Sequence, residues 1–320
     1  MTATATFYRG KRFLVTGATG FIGGHLVNRL LEYGATVRVT IHQRGWSGSI
    51  QGVEVVPGDL KETDIRLWED ACMGCNGIFH LAAAGVTEDA KAAALLQQHV
   101  VGPAAMLEGA ANVGVKGLVH TSSCFVYGKR ETPADRFAHT NPLSPYAASK
   151  LAAETWLAGL GRALKVPVAC ARLFHVYGPG EHAQRLIPYV LHNLSRGTPL
   201  ELTSGNQIRD FLYVADAVED LLLLGAALEQ HAGTVINLGT GQGTSVRDLV
   251  SAAQALFQTP GQARFGARPD RPDSLPFLVA DAAETERLLG RRARFSLAAG
   301  LRATAHALVP AATHKTEANR

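Results

Sequence analysis

Two regularities of this 320-residue sequence predict an α/β fold with a doubly wound parallel sheet. Short apolar segments alternate with amphipathic helical segments through the first 175 residues, a rhythm typical of a parallel sheet covered by helices on both faces. After the first apolar run, Phe13-Leu-Val15, glycines follow at 17, 20 and 23. Gly17, Gly20 and Gly23 at this spacing indicate a tight turn from a strand into a helix that can bind a dinucleotide phosphate. A tight turn without a ligand is the alternative.

The first half of the chain contains six predicted strands and four predicted helices. The strands are Arg12–Thr16, Thr36–Ile41, Val53–Pro57, Gly77–His80, Gly117–Ser122 and Val166–Leu173. The helices are Gly23–Tyr33, Thr63–Met73, Glu88–Val113 and Pro145–Leu164. Right-handed crossovers between parallel strands leave the carboxyl ends of the strands as the place where ligands bind.

The rhythm changes after Val176, where a turn-rich segment precedes shorter elements with more proline and glycine. A helix over Ile187–Arg196, a strand over Leu200–Leu202 and a helix over Val214–Leu228 predict a smaller C-terminal α/β lobe, interleaved with the first. The segment Ala263–Phe277 contains three prolines and predicts a loop over a cleft.

These elements predict the domain organisation. We expect residues 1–175 to form a dinucleotide-binding domain, with segments that return to it at about 210–240. Residues 176–310 mainly form the lobe that binds substrate, and residues 311–320 are a polar tail that we expect to be disordered.

Composition excludes several classes of protein. The net charge is +4 and no long basic run occurs, so a nucleic-acid partner is not expected. No apolar stretch reaches the length of a membrane span, and the N-terminus lacks the apolar core of a signal peptide. Four cysteines do not form a disulfide framework at this length. We therefore expect a cytoplasmic protein with free thiols and no membrane partner.

The candidate chemistry lies at the segment Tyr146-Ala-Ala-Ser-Lys150. In a helix, residues four apart share a face, so the ammonium of Lys150 lies near the phenol of Tyr146. Its charge favours the phenolate and makes Tyr146 a usable acid or base near neutral pH. Upstream, Thr121-Ser-Ser-Cys124 ends an apolar strand, where a hydroxyl can hydrogen-bond a substrate oxygen. The alternative for Tyr146 alone is a helix-surface or core aromatic residue.

Six segments together resemble a known family. They are Thr16-Gly-Ala-Thr-Gly-Phe-Ile-Gly23, Asp59-Leu60, His80-Leu-Ala-Ala83, Ser122-Ser-Cys-Phe-Val-Tyr-Gly128, Tyr146-Ala-Ala-Ser-Lys150 and Arg209-Asp-Phe-Leu-Tyr-Val214. In this order they resemble the extended short-chain dehydrogenase/reductases, specifically the nucleotide-sugar epimerase/dehydratase group, over about residues 8–308.

The resemblance implies a Rossmann domain that binds NAD or NADP, a C-terminal lobe that holds a nucleoside-diphosphate sugar, and a homodimer. It also implies a catalytic triad of Ser123, Tyr146 and Lys150. The cofactor-binding residues that it implies are Gly17, Thr19, Gly20, Phe21, Ile22, Gly23, Asp59, Leu60, Leu81, Ala82, Ala83, Tyr146 and Lys150.

For the substrate, the resemblance implies that Arg209 and Arg271 contact the diphosphate, as two forked guanidiniums can. The alternative is that both are surface ion-pair residues. The substrate-binding residues implied in full are Ser122, Ser123, Cys124, His175, Arg209 and Arg271. His175 and His99 stand where the family usually has asparagine, so each is either a ligand contact or an interior residue.

Cofactor choice depends on the end of the second strand, where a carboxylate would accept hydrogen bonds from an adenosine ribose. Thr36–Arg44 contains no carboxylate, whereas His42 and Arg44 can attract a 2′-phosphate. NADP is therefore favoured over NAD. No metal is expected, because Cys72 and Cys75 have no further ligands near them and fit a helix-end turn better.

The reaction type follows from Cys124 and Phe125, which stand where dehydratases of the family carry acidic residues. Reduction of a 4-keto, 6-deoxy nucleotide sugar with NADPH is favoured, with Tyr146 as the proton donor. The alternative is a 4-epimerase that acts through a transient ketone. A non-catalytic NADP-sensing regulator and a reductase of another carbonyl compound are two further alternatives.

Overall fold

A computed structural model of the chain describes residues 2–41, 52–83, 91–257, 262–270 and 274–308. The strands are β1 Arg12–Thr16, β2 Thr36–Ile41, β3 Val53–Pro57, β4 Gly77–His80, β5 Leu118–Ser123, β6 Val168–Leu173, β7 His175–Tyr177, β8 Leu200–Leu202, β9 Ile208–Tyr213, β10 Val235–Leu238, β11 Gly243–Ser245, β12 Ala263–Phe265 and β13 Phe277–Leu278. The α-helices are α1 Ala3–Tyr8, α2 Phe21–Glu32, α3 Ile65–Cys72, α4 Ala92–Leu96, α5 Gly102–Asn112, α6 Pro145–Leu164, α7 Leu186–Ser195, α8 Val214–Ala226, α9 Val246–Phe257, α10 Ala282–Leu289 and α11 Leu297–Leu308.

Seven parallel strands form the main sheet, in the order β3-β2-β1-β4-β5-β6-β10. Successive residues of β1 point into different cores, as the period of two in a strand requires. Leu14 packs in a cluster with Trp68 of α3 and Met106 of α5, whereas Val15 packs in a cluster with Leu26 of α2 and Leu222 of α8. Helices thus cover both faces of the sheet, and the predicted doubly wound α/β fold is confirmed.

The C-terminal elements form a second, smaller sheet in which β9 pairs with β7, β11 and β13. Between these elements the chain returns to the main sheet, where β10 pairs with β6 and α8 packs against α2. The interleaving of the smaller lobe is therefore visible in the connectivity. The domain boundaries at about residue 175 and residue 310 stay predictions, and residues 311–320 lie outside the described residues.

Two sequence-based element predictions were wrong. The long helix predicted over residues 88–113 is interrupted within the described part by a π-helical turn, Gln97–Val101, between α4 and α5. The loop predicted from Ala263 begins instead with β12, which pairs with β8. Its later residues Arg268, Asp270 and Ser274 do line a cavity, as expected of a segment over a cleft.

None of the helices within the described ranges combines the length and apolar character needed to cross a bilayer.

Two buried histidines stack on adjacent strands, His80 at the carboxyl end of β4 and His120 in the middle of β5. His80 of β4 and His120 of β5 are paired in register, and their ring centroids lie 5.1 Å apart. Thr16 Oγ1 lies 2.7 Å from His80 Nδ1, whereas neither ring nitrogen of His120 has a hydrogen-bond partner. Burial lowers the pKa of His80 to about 3 and lowers the pKa of His120 well below its usual value of 6.5.

We therefore expect these two histidines to make the folded protein less stable as the pH falls below about 6.5. Below pH 6.5 the unfolded chain binds protons at these histidines that the folded chain does not, so stability falls as the pH falls. The slope is about 1.4 kcal/mol per pH unit for each histidine. Urea unfolding between pH 7 and pH 4.5 measures how the free energy of unfolding changes with pH. His120→Phe is expected to lower this slope by the contribution of one histidine, about 1.4 kcal/mol per pH unit. Equal slopes in the wild-type protein and His120→Phe would show that His120 does not cause the loss of stability.

Candidate active site

The glycine turn between β1 and α2 leaves no room for side chains. Gly17 has a φ of +73°, and a Cβ on it would lie 2.6 Å from the backbone nitrogen of Ala82. A Cβ on Gly23 would lie 2.1 Å from the carbonyl oxygen of Gly17. The helix start is therefore held against the turn, and the backbone is open where a pyrophosphate would lie, so these residues fit a dinucleotide.

Other predicted cofactor residues surround this turn. Thr16 Oγ1 accepts a hydrogen bond of 3.3 Å from Ala82 N, so the segment after β4 lies beside the segment after β1. Asp59 Oδ1 accepts from Lys61 N at 2.9 Å, and a Cβ on Gly102 would overlap the Leu60 carbonyl, which places the segment after β3 against α5. The remaining predicted cofactor residues lie in the turn after β1, at the start of α2 and directly after β4: Thr19, Gly20, Phe21, Ile22, Leu81 and Ala83. His42, Arg44 and Arg271 lie outside the described residues.

Helix α6 places Tyr146 and Lys150 at the carboxyl end of β5. Its N-cap is Ser144, whose hydroxyl accepts from Ala147 N at 3.2 Å, and Pro145 occupies the first helical position, where its missing N–H costs nothing. Lys150 is buried, and its Nζ donates to the Thr121 carbonyl oxygen at 3.0 Å. Burial lowers the pKa of Lys150 to about 8. A lysine with this pKa loses its proton more readily than an exposed one.

The acidity of Tyr146 differs from the sequence-based expectation. Burial raises the pKa of Tyr146 to about 12, and a hydrogen bond with the Ser123 side chain opposes the rise. The ammonium of Lys150 lies on the Thr121 carbonyl and is not among the charges that lower this pKa. Tyr146 therefore holds its proton at neutral pH and is set up to donate it.

His99 contacts Tyr146 directly through its ring and indirectly through Ser149. It lies in the π-helical turn, and its Nδ1 is 2.8 Å from Ser149 Oγ, which donates to the Tyr146 carbonyl oxygen at 2.8 Å. The rings of His99 and Tyr146 meet edge to face with centroids 5.8 Å apart. His99 is buried, so of the two alternatives the structure favours the interior residue that positions Tyr146.

The Ser122 hydroxyl is paired within the protein, and its role as a substrate contact stays a prediction. Its hydroxyl donates to the buried carboxylate of Glu154, which lies two turns beyond Tyr146 on α6. Arg172 of β6 donates to both oxygens of the same carboxylate, at 3.0 Å and 2.7 Å to its two nearest contacts. The buried Glu154 carboxylate thereby joins β5 and β6 to α6, and its charge is paired with that of Arg172.

Cys124 does not line the cavity. Its side chain is buried, and burial raises the pKa of its thiol to about 12. The next residue, Phe125, lines the cavity instead, because the chain turns into a 3₁₀-helix at this point. The Ser123 hydroxyl accepts from Phe125 N at 3.3 Å and so fixes that turn.

A cavity of about 970 Å³ extends from Tyr146 between the two lobes. His175 and Arg209, two of the predicted substrate residues, line it. The His175 ring lies between Phe125 and Phe211, and its buried Nδ1 has no hydrogen-bond partner. Arg209 donates to the Ile208 carbonyl oxygen at 2.9 Å and forms no ion pair with any described residue. Burial lowers the pKa of Arg209, as expected of a cation without a counter-ion.

Sequence reasoning missed Glu181 and Arg185, which line the same cavity. Glu181 Oε1 lies 3.6 Å from Arg185 Nε, and the Glu181 side chain is buried. A charged residue directly after the turn Gly178-Pro-Gly180 was the available signal, because the preceding strand ends in the cleft. His25 Nε2 lies 2.8 Å from the Pro179 carbonyl oxygen, which joins this turn to α2.

Within the described ranges, no three histidine, cysteine, aspartate or glutamate side chains lie close enough together to hold a metal ion. Cys72 ends α3, and Cys75 N donates to its carbonyl oxygen at 2.9 Å. This helix-end turn confirms how the Cys72–Cys75 spacing was interpreted.

Comparison with known proteins agrees with this site. Residues 13–239 match the model of the NAD dependent epimerase/dehydratase family. The UDP-glucose 4-epimerase of Mycolicibacterium smegmatis is 30% identical over 312 residues, a match that covers 92% of this chain and 97% of that protein. The trifunctional UDP-glucose 4,6-dehydratase/UDP-4-keto-6-deoxy-D-glucose 3,5-epimerase/UDP-4-keto-L-rhamnose-reductase RHM1 of Arabidopsis thaliana is 27% identical over 286 residues. That match covers 83% of this chain, which spans about two fifths (42%) of the plant protein.

Solved structures extend the comparison to bound ligands. MoeE5 in complex with UDP-glucose and NAD is 31% identical with a TM-score of 0.82, covering 92% of this chain and 97% of that one. A second structure holds MoeE5 in complex with UDP-glucuronic acid and NAD, with a TM-score of 0.83. The motifs, the fold and these matches agree that the chain belongs to the NAD-dependent epimerase/dehydratase family of the extended short-chain dehydrogenase/reductases.

Proposed function

We propose that this protein is a nucleotide-sugar 4-epimerase that works with a bound nicotinamide dinucleotide. The observation that supports this most directly is that Tyr146 lines a cavity that also contains Arg209, a cation without an ion pair among the described residues. Several similar proteins of full-length coverage are UDP-glucose 4-epimerases, including the M. smegmatis enzyme. They favour epimerisation over the reduction that the sequence alone favours.

Arg209 is our candidate for the diphosphate contact. Its guanidinium is partly buried in the cavity wall and has no acid to neutralise it among the described residues. A buried unpaired cation is costly, and a diphosphate that accepts two parallel hydrogen bonds would remove that cost. Arg185 supplies a second cation in the same cavity, although Glu181 partly neutralises it.

In the proposed reaction, the phenolate form of Tyr146 takes the proton from the C4 hydroxyl of the sugar and later returns it, so Tyr146 must first lose the proton that burial holds on it. Ser123 donates a hydrogen bond to the same oxygen and stabilises its charge while C4 is a ketone. Lys150 lies one turn along α6, and its positive charge would favour the phenolate once Nζ turns from the Thr121 carbonyl oxygen towards Tyr146. The bound nicotinamide supplies the two-electron acceptor and donor. The cavity volume of about 970 Å³ gives the sugar room to present its other face.

A dehydratase is less consistent with the same site. Elimination of water from the sugar needs an acid and a base near carbons five and six. The positions after Ser123 carry a buried thiol at Cys124 with a raised pKa and an apolar ring at Phe125. Neither side chain can exchange a proton with the sugar near neutral pH.

The test is to incubate the purified protein with UDP-glucose and follow the sugar by NMR. We expect UDP-galactose to form without net consumption of reduced nicotinamide. Screening free UDP, dTDP, GDP and CDP for binding identifies the nucleoside. Failure of all four nucleotides to bind would contradict a nucleotide-sugar enzyme of any kind.

The second candidate is an NADPH-dependent 4-ketoreductase. The observation that favours it is strand β2, which ends at Ile41 without a carboxylate in its described residues. A carboxylate there would favour NAD by binding its ribose hydroxyls. Similar solved structures nevertheless contain NAD, which favours NAD for this chain. Absorbance of NADPH and NADH with a panel of 4-keto-6-deoxy nucleotide sugars decides this, because only a ketoreductase would consume the reduced nicotinamide.

We also propose that the protein is a homodimer in the cytoplasm. Helix α6 presents a stripe of exposed residues that contains Ala148, Ala152 and Trp156, the last of which is 57% exposed. Leu96 of α4 and Val101 of the π-helical turn are also exposed, and both of these elements pack on α6. Small and apolar residues on an exposed face allow close helix packing between subunits. Light scattering measures the mass, and a monomer would contradict this proposal.

A further inference from the structure

A buried carboxylate in the cavity wall has one oxygen without a partner. The Glu181 side chain is 9% exposed, and its Oε1 lies 3.6 Å from Arg185 Nε. Its Oε2 is buried and forms no hydrogen bond with any of the described residues. Buried polar atoms in folded proteins nearly always have partners, so an open acceptor in a ligand cavity indicates that a ligand donates to it.

The other carboxylates that line this cavity already have partners. Glu201 lies 3.9 Å from Arg268, and Asp270 accepts from Gln207 at 2.6 Å and from the Ser204 backbone at 3.3 Å. Both are more exposed than Glu181, and solvent can therefore satisfy them. Glu181 is thus the cavity carboxylate that is set up for a ligand.

Glu181 lies at the catalytic end of the cavity. Glu181 and its ion-pair partner Arg185 line the same cavity as Tyr146 and His175. The preceding turn is held to α2 by the contact between His25 and the Pro179 carbonyl. In the proposed reaction this end receives the sugar, while Arg209 receives the diphosphate.

We propose that Glu181 selects the substrate by the charge of its sugar. Its open oxygen accepts a hydrogen bond from a sugar hydroxyl, and its negative charge disfavours a sugar that bears a carboxylate. A neutral hexose or deoxyhexose is therefore preferred over a uronic acid. This inference rests on the proposed function, because it requires a nucleotide sugar in the cavity.

The ionisation of Glu181 sets the conditions of the test. Burial raises the pKa of Glu181 to about 7, while the contact with Arg185 opposes the rise. At pH 8 the ionised form dominates, so the measurements are made there. Calorimetry of the dinucleotide-loaded protein gives the affinities for UDP, UDP-glucose and UDP-glucuronic acid.

We expect the wild-type protein to bind UDP-glucose at least about tenfold more tightly than UDP-glucuronic acid, a difference of about 1.4 kcal/mol. Glu181→Gln keeps the shape and removes the charge, so it is expected to abolish this preference while UDP binds as before. Glu181→Asp keeps the charge and is expected to keep the preference. Glu131→Gln removes the same charge from an exposed position outside the cavity and is the matched control.

Three outcomes would overturn the inference. They are equal affinity of the wild-type protein for the two sugars, an unchanged preference in Glu181→Gln, and loss of the preference in Glu181→Asp. In each of these UDP itself still binds, and the proposed function stands. Absence of UDP binding to the wild-type protein would instead refute both.

Discussion

Tyr146→Phe is expected to lower turnover by about 10²- to 10⁴-fold, the usual contribution of a positioned acid or base. The variant keeps the ring, and with it the edge-to-face contact with His99. It removes the hydroxyl that hydrogen-bonds to Ser123. Because only the proton path is lost, the affinities for dinucleotide and nucleotide sugar should change little. Steady-state rates and calorimetric titrations measure the two effects separately.

Tyr33→Phe is the matched control for this variant. Tyr33 lies just beyond the end of α2 that is far from the glycine turn, and its hydroxyl contacts Glu219 at 2.9 Å. Its removal is expected to leave turnover within about twofold of the wild type, as is usual for a change remote from the chemistry. Retained turnover in Tyr146→Phe would show that another group moves the proton.

Gly23→Ala is expected to weaken dinucleotide binding by about 5- to 150-fold, since overpacking typically costs about 1–3 kcal/mol. The new methyl group would lie 2.1 Å from the Gly17 carbonyl oxygen, so the start of α2 must move away from the turn. The backbone N–H groups of the helix then no longer meet the pyrophosphate at the distance they need. Fluorescence titration with NAD and NADP measures the loss.

Gly24→Ala provides an internal control one residue away. A Cβ there would lie 3.6 Å from the Ala18 carbonyl oxygen, an ordinary contact distance. The same chemical change in the same helix is therefore expected to leave the affinity unchanged or to raise stability slightly, since alanine favours helix over glycine. Equal effects of the two substitutions would mean that the close approach at Gly23 is not needed for binding.

Local sequence patterns were sufficient to predict the elements of the candidate cofactor site. The apolar run of β1 and the spacing of Gly17, Gly20 and Gly23 describe one continuous stretch whose conformation depends on backbone sterics alone. The spacing of Tyr146 and Lys150 is likewise a property of one helix. In each of these cases the predicted structure and the observed one agree because the determinants lie within a few residues of each other.

The errors occurred where contacts between distant segments decide the outcome. The sequence places Ser122 near the end of a strand that leads to the cleft, but it does not reveal that the Ser122 hydroxyl donates to Glu154 on α6. The pKa of Tyr146 depends on how deeply two lobes bury it, which the spacing to Lys150 does not reveal. Glu181 looked like one more residue of a turn, and only the packing of Arg185 and the cavity around it show an oxygen without a partner.

The contact between His25 and the Pro179 carbonyl connects the two ligand sites energetically. His25 belongs to the helix after the glycine turn, where a dinucleotide is proposed to bind, and Pro179 belongs to the turn that precedes Glu181. A ligand that restrains the helix therefore also restrains the turn, and the entropy of ordering the turn is already lost when the sugar arrives. Such linkage is reciprocal: whatever factor the dinucleotide adds to the affinity for the sugar, the sugar adds to the affinity for the dinucleotide. Under the proposed function, this linkage would favour retention of the dinucleotide through many turnovers, because each bound sugar would oppose its release.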